Sequence, residues 1–369
     1  MEHDTRHIAG KFDLDGKLIR SNPFGSGHIN DTYCLTCEQE NGEIHYILQR
    51  INHDVFKNPP AMMENIRRVT NHIRRKLQEQ RNKLASRQLI VIETKDGVDF
   101  FLDDDGNYWR MYNRIENAFT YDTIESPELA YEAARMFGRF TAMLTDLPGP
   151  PLHETIPDFH TTPKRLKTFM EVLQRDPCNR AKDAGAEIDF VIENTGICDV
   201  LLNHAGRGEI PIRTTHNDTK INNVLLDAKT HEGVCVIDLD TVMPGLSLYD
   251  FGDMVRTTTN PAEEDERDLS RVTMRMPIFE MLLKGFAEET HTFLTPAEKK
   301  NLVFAGKLIT FEQMIRFLAD HLAGDVYYKI HREGHNLDRC RTQMKMVQSI
   351  TAQEEAMNAL VDSVFEELS

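Results

Sequence analysis

Residues 215–227 read THNDTKINNVLLD: a histidine, a carboxylate and two side-chain amides set directly ahead of an apolar strand. Asp and Asn in a surface turn ordinarily bond neighbouring amides, and a turn alone does not require this order. After NVLLD comes a turn at AKTHEG, and GVCVID then carries the chain back to Asp238. A hairpin returns its ends to one edge, so Asp238 is expected close to Asp218 and Asn223. Two carboxylates and an amide oxygen on one edge make a hard-oxygen site suited to Mg²⁺, which binds through one or two carboxylates plus substrate phosphates. The remaining carboxylate can orient a hydroxyl for attack.

Upstream of this island the chain is β-rich. Alternation in residues 28–36 and 43–51 predicts two strands joined through Glu40 to Gly42. Met62, Met63, Ile66, Val69, Ile73 and Leu77 recur at helical spacing behind Pro59 and Pro60. QLIVIE (88–93) and the segment 99–115 predict three further strands. From about residue 117 the pattern turns helical, with segments at 127–144, 162–175, 184–205, 264–290, 296–322 and 338–367. The expectation is an α+β chain: a small β-rich N-lobe, residues 1–116, and a larger helical C-lobe, residues 117–369, that carries one β hairpin.

The chain has 369 residues and a formal charge of −16. That charge argues against nucleic acid or an anionic membrane as partner. No apolar run approaches the ~18 residues of a membrane helix, and the polar opening residues do not read as a signal peptide. The six cysteines are scattered, which suggests reduced thiols and a cytoplasmic setting. Cys34 and Cys37 have C-x-x-C spacing without a second pair, so no zinc site is expected. DDDG at 103–106 reads as a hairpin turn, and EEDERD from Glu263 as a solvated helix start.

The combination H-x-D-x-x-x-x-N, residues 216–223, and I-D-x-D, residues 237–240, resembles the site of the aminoglycoside phosphotransferase and choline kinase superfamily. That resemblance implies a protein-kinase-like two-lobe fold with ATP as phosphoryl donor and Mg²⁺ as cofactor. PFGSGHINDTY (23–33) is similar to the superfamily's phosphate-covering loop, where Gly25 and Gly27 let backbone amides approach phosphate. WRMYNRIE (109–116) resembles the strand running into the adenine hinge, which assigns Tyr112, Asn113 and Ile115 to the nucleotide. LSLYDFGD (246–253) places Asp250 as a brace for the catalytic loop. At finer grain GHIN, YILQRIN, IDLDT, RFLADHLAGDVYY and HNLDRCRTQ are similar to the N-acetylhexosamine 1-kinases, which phosphorylate the anomeric hydroxyl of N-acetylglucosamine or N-acetylgalactosamine.

The resemblance implies Asp218 as catalytic base in contact with the acceptor, Asn223 and Asp238 as metal ligands, and His216 as a structural residue. It implies His28, Arg316 and Tyr327 as acceptor contacts, in a protein expected to act as a monomer. Arg316 and Asp320, four apart, read equally as a surface ion pair. Asp240 and Glu64 have no settled role. Gln49 occupies the third-strand position where protein kinases carry a lysine for the phosphates. Either the metals neutralise the phosphates alone, or another cation reaches in. Two rivals stand beside this reading: another small hydroxyl acceptor within the superfamily, or a non-catalytic kinase-like binding module.

Overall fold

The computed structural model describes residues 3–25, 29–124 and 126–369. A short helix α1 (Thr5–Ala9) precedes strands β1 (Lys17–Pro23), β2 (Asp31–Gln39) and β3 (Gly42–Ile51). Helix α2 (Pro59–Glu79) follows, then β4 (Phe101–Leu102) and β5 (Tyr108–Asn113). These strands form one antiparallel sheet in the order β1-β2-β3-β5-β4. Strand alternation divides its residues between two faces. Leu35, Cys37, Tyr46, Leu48, Trp109 and Met111 join Ile8 and Phe12 in a core on one face. Ile51 and Tyr112 belong to the main core that α2 enters, with Ile47 packed against it. Asn58 caps α2 by accepting the Ala61 amide, and Pro59 and Pro60 occupy the first turn, where a missing N–H costs nothing.

The strand expected at 88–93 is reduced to one bridge, Val91 to Tyr112. One edge of β5 is shared: β4 pairs with Tyr108 and Trp109, while Ile92 donates its amide to Met111 further along. Neither partner has room for a long ladder.

The C-lobe contains β6 (Ala118–Phe119), α3 (Pro127–Met143), α4 (Thr162–Arg175), α5 (Gly185–Glu193) and α6 (Val200–Gly206). Strands β7 (Arg213–Thr215), β8 (Val224–Asp227), β9 (Gly233–Val236) and β10 (Met243–Gly245) come next. Helices α7 (Ser247–Thr258), α8 (Met276–Thr290), α9 (Pro296–Lys300), α10 (Leu302–Ala323) and α11 (His335–Glu367) complete it. The expected hairpin is β8–β9, with β6 as a third strand, and β7 pairs with β10. The fold is therefore a small antiparallel-sheet lobe joined to a helical lobe.

Several helix expectations change, among them 296–322, which Asn301 divides into α9 and α10. The segment 184–205 is two helices, because Asn194 and Gly196 break it into a 3₁₀ turn at Thr195–Ile197. The acidic run from Glu263 is no helix start: α8 begins at Met276, and the acids lie in a loop where Glu264 pairs with Arg256, Asp265 with Arg332 and Glu266 with Arg271. Helix α7 escaped periodicity because it is buried on nearly all sides, Asp250 and Asp253 included, so it shows no polar face. It crosses α10 at Gly252, where a Cβ would lie 2.5 Å from the Ala305 carbonyl oxygen. Among the described residues no helix is long and apolar enough to cross a membrane.

Candidate active site

The loop after β7 is fastened from beneath by α7. Asp250 accepts the amides of His216 (2.9 Å) and Asn217 (2.7 Å), and Asp253 accepts that of Thr219 (3.0 Å). The Thr219 hydroxyl donates back to the Asp250 carbonyl. Asn217 takes a left-handed backbone, φ 66°, a conformation asparagine tolerates better than most residues. His216 is fully buried against the edges of Phe137 and Phe140. Its Nε2 donates to the Ile237 carbonyl and its Nδ1 accepts the Asp218 amide. His216 thus ties the loop to the end of the β8–β9 hairpin, matching the structural part expected of it. Glycine is required at 245, where a Cβ would sit 2.4 Å from the Thr215 hydroxyl and 3.0 Å from Asn217 Oδ1.

On this frame the three oxygen-bearing residues converge. Asn223 donates its amide to the Asp218 carbonyl (2.8 Å) and carboxylate (3.1 Å), and Lys220 pairs with the same carboxylate at 3.2 Å. Asp238, also left-handed at φ 60°, opens on the cleft, and among the described residues no donor reaches its carboxylate. The protein packed around it, with the like charges of Asp240 and Asp218, raises its carboxyl to about 6 although the side chain still meets solvent. Among the described residues no three His, Cys, Asp or Glu are grouped to hold a metal by themselves. The free Asp238 carboxylate and the Asn223 amide oxygen fit an ion such as Mg²⁺ that completes its shell with water and phosphate.

The N-lobe supplies the opposite wall. Gln49 on β3 and Arg110 on β5 are register partners. Arg110 Nε donates to Gln49 Oε1 at 3.0 Å, Gln49 donates to the Thr32 hydroxyl, and Arg110 Nη1 binds Asp240 Oδ1. Asn30 holds the other Asp240 oxygen at 2.7 Å. The Tyr112 ring packs under the Arg110 guanidinium, and its buried hydroxyl has no partner among the described residues. Asn113 commits its side chain to the Ile90 amide and the Gln88 carbonyl. The backbone N–H and C=O of the buried Ile115 have no hydrogen-bond partner among the described residues. Gly25 has φ +77 with open space about it, whereas Gly27 and His28 lie outside the described residues. Glu64 turns away to His153.

Arg316 and Tyr327 sit apart from these carboxylates. Arg316 lies over the rings of Phe159 and Tyr328 and donates to Gln313. Arg256, paired with Asp253, lies within the electrostatic reach of both Arg316 and Asp218. Tyr327 is 62% exposed and stacks edge-on to Tyr328. No Arg316–Asp320 ion pair forms: Asp320 is buried and accepts the amides of Val326, Tyr327 and Tyr328. Behind the loop, His160 touches both the Glu312 carboxylate (2.9 Å) and the Asn217 carbonyl (3.2 Å).

Sequence reasoning passed over Lys220, Arg110 and Arg256. Lys220 stood in plain sight two residues after Asp218. Arg110 could have been found by pairing β3 with β5, since its partner across the ladder is the neutral Gln49.

Residues 21–272 match the phosphotransferase enzyme family. The chain belongs to that family. Its fold is similar to that of an aminoglycoside phosphotransferase from Alicyclobacillus acidocaldarius (13% identity, 98% of this chain and 95% of that one, TM-score 0.56). A choline kinase from Cryptosporidium parvum (11%, 94% and 93%, 0.55) is also similar. So is a spectinomycin phosphotransferase crystallised with ADP and spectinomycin (12%, 92% and 94%, 0.54). At these identities the likeness is one of fold.

Proposed function

We propose that this phosphotransferase transfers the γ-phosphoryl group of ATP to the C1 hydroxyl of an N-acetylhexosamine, N-acetylglucosamine or N-acetylgalactosamine, giving the sugar 1-phosphate and ADP. The observation that carries a transfer reaction is the meeting of Asp218, Asn223 and Asp238 at one edge of the cleft. The sugar rests on the sequence blocks at residues 27–30, 316–328 and 335–343.

In this reading the adenine edge bonds the unpaired backbone groups of Ile115, which burial would otherwise leave costly. Asp218 accepts the proton of the acceptor hydroxyl as its oxygen bonds to the γ-phosphorus, and the bond to the β-phosphate oxygen breaks to release ADP. Lys220 pairs with the Asp218 carboxylate and holds it in place. Asn223 and Asp238 would hold Mg²⁺, which supplies charge neutralisation for the phosphates. Arg316 and Tyr327 contact the sugar. Most of the rate then comes from positioning and preorganised charge.

The test is ADP release over a panel of N-acetylglucosamine, N-acetylgalactosamine, glucosamine, choline and an aminoglycoside, with the product's phosphorus position read by NMR. Turnover on the two acetylated sugars with phosphate at C1 is expected. Turnover on choline or the aminoglycoside alone would move the acceptor elsewhere in the family. Nucleotide binding without turnover on any acceptor would favour a binding module.

A further inference from the structure

A triphosphate entering this cleft meets Asp218, Asp238 and Asp240 in a chain of net charge −16, and Gln49 brings no charge to offset them. On the C-lobe floor Lys220 is committed to Asp218 and Arg256 to Asp253. From the N-lobe, among the described residues, Arg110 is the cation that reaches the acidic group. It is 1% exposed and held on three sides by Gln49, Asp240 and the Tyr112 ring. Its printed bonds use Nε and Nη1, which leaves Nη2 without a hydrogen bond among the described residues, and the hydroxyl of the Tyr112 ring packed against it is buried with no partner among them. Buried polar groups are nearly always paired, so the orphaned Tyr112 hydroxyl, next to a guanidinium with a donor to spare, marks a place for a ligand's acceptor atoms. A guanidinium already desolvated and fixed is also a stronger phosphate partner than a mobile side chain.

We infer that Arg110, from β5, supplies the fixed positive charge for the ATP phosphates that a third-strand lysine supplies in protein kinases, with Gln49 orienting it and Asp240 anchoring it to the C-lobe. This rests on the ATP-dependent reading above. It also assigns Asp240: both its oxygens are occupied, by Arg110 and Asn30, so it serves the cation and leaves Asp238 to the metal.

Removing Arg110 alone would orphan a buried carboxylate, so the comparison starts from Asp240→Asn, in which that charge is already gone. Calorimetric binding of Mg²⁺-ATP and of adenosine is measured for Asp240→Asn, for Asp240→Asn with Arg110→Met, and for that pair with Gln49→Lys added. Adenosine carries the base and ribose without phosphate. Adding Arg110→Met is expected to weaken Mg²⁺-ATP by about tenfold or more, the loss of one charge-assisted contact, with adenosine unchanged. Adding Gln49→Lys is expected to restore ATP affinity by returning a cation to the neighbouring strand. Equal weakening of ATP and adenosine, or no rescue by Gln49→Lys, would overturn the assignment. A wild type that binds neither ligand would instead remove the ATP-dependent reading itself.

Discussion

Asp250 spends one carboxylate oxygen on the His216 amide and the other on the Asn217 amide. In Asp250→Asn one of those amides faces an NH₂ group, and a buried N–H left unpaired costs about 1–3 kcal/mol. The loop that carries Asp218 then loses its geometry. Steady-state kinetics are expected to show kcat down by about tenfold or more with the KM for ATP nearly unchanged. An unchanged kcat would show that the loop does not need this fastening. His160 makes a second residue-scale test. Both its ring nitrogens face acceptors, so only the imidazolium satisfies both. Burial opposes that charge, but Glu312 outweighs burial and raises the His160 pKa above its ordinary 6.5, while the pair holds Glu312 below its ordinary 4.5. The histidine's contribution is complete below its unfolded pKa and fades as pH climbs through the folded one. The glutamate's is complete above its unfolded pKa and fades as pH falls through the folded one. The pair therefore stabilises most between pH 4.5 and 6.5. Glu312→Gln should cost about 3 kcal/mol in that window, with the Tm gap to wild type narrowing on either side. A gap that stays flat with pH would show that the pair is not charged.

At the scale of elements, β8–β9 was legible because short apolar runs flank a turn, and α2 because its apolar positions keep helical spacing behind two prolines. Helix α7 was not, since a helix packed on every side hides its own period. The same burial makes it sensitive to bulk. Gly252→Ala would press a methyl into the Ala305 carbonyl, and overpacking of this kind costs about 1–3 kcal/mol. Urea denaturation should show that loss, and a change below about 0.5 kcal/mol, the scale of an ordinary surface substitution, would mean that the crossing is loose. Between strands, the carboxylates of the site could be read from their spacing along one hairpin. Arg110 could not, because its meaning depends on which strand lies beside β3, a non-local fact.

At the scale of the whole molecule, many side chains tie the two lobes, among them Lys76 to Asp146 and Arg87 to Asp227. Asn65 on α2 donates to the carbonyls of His153 and Val242, and Asp240 binds Arg110 and Asn30. A ligand gripping both walls adds to these ties, so saturating Mg²⁺-ATP, at about 100 times its Kd, should raise unfolding stability by about 2.7 kcal/mol. EDTA should remove most of that gain, and a Tm indifferent to Mg²⁺ would place the nucleotide elsewhere. The most direct measurement is ADP release with N-acetylglucosamine and N-acetylgalactosamine by wild type and Asp218→Asn, with Mg²⁺-ATP affinity determined on the same samples. Loss of a general base predicts a fall in turnover of about a hundredfold or more, with ATP affinity within about threefold of wild type, under 1 kcal/mol. Asp218→Asn turning over at the wild-type rate on either sugar would contradict the account.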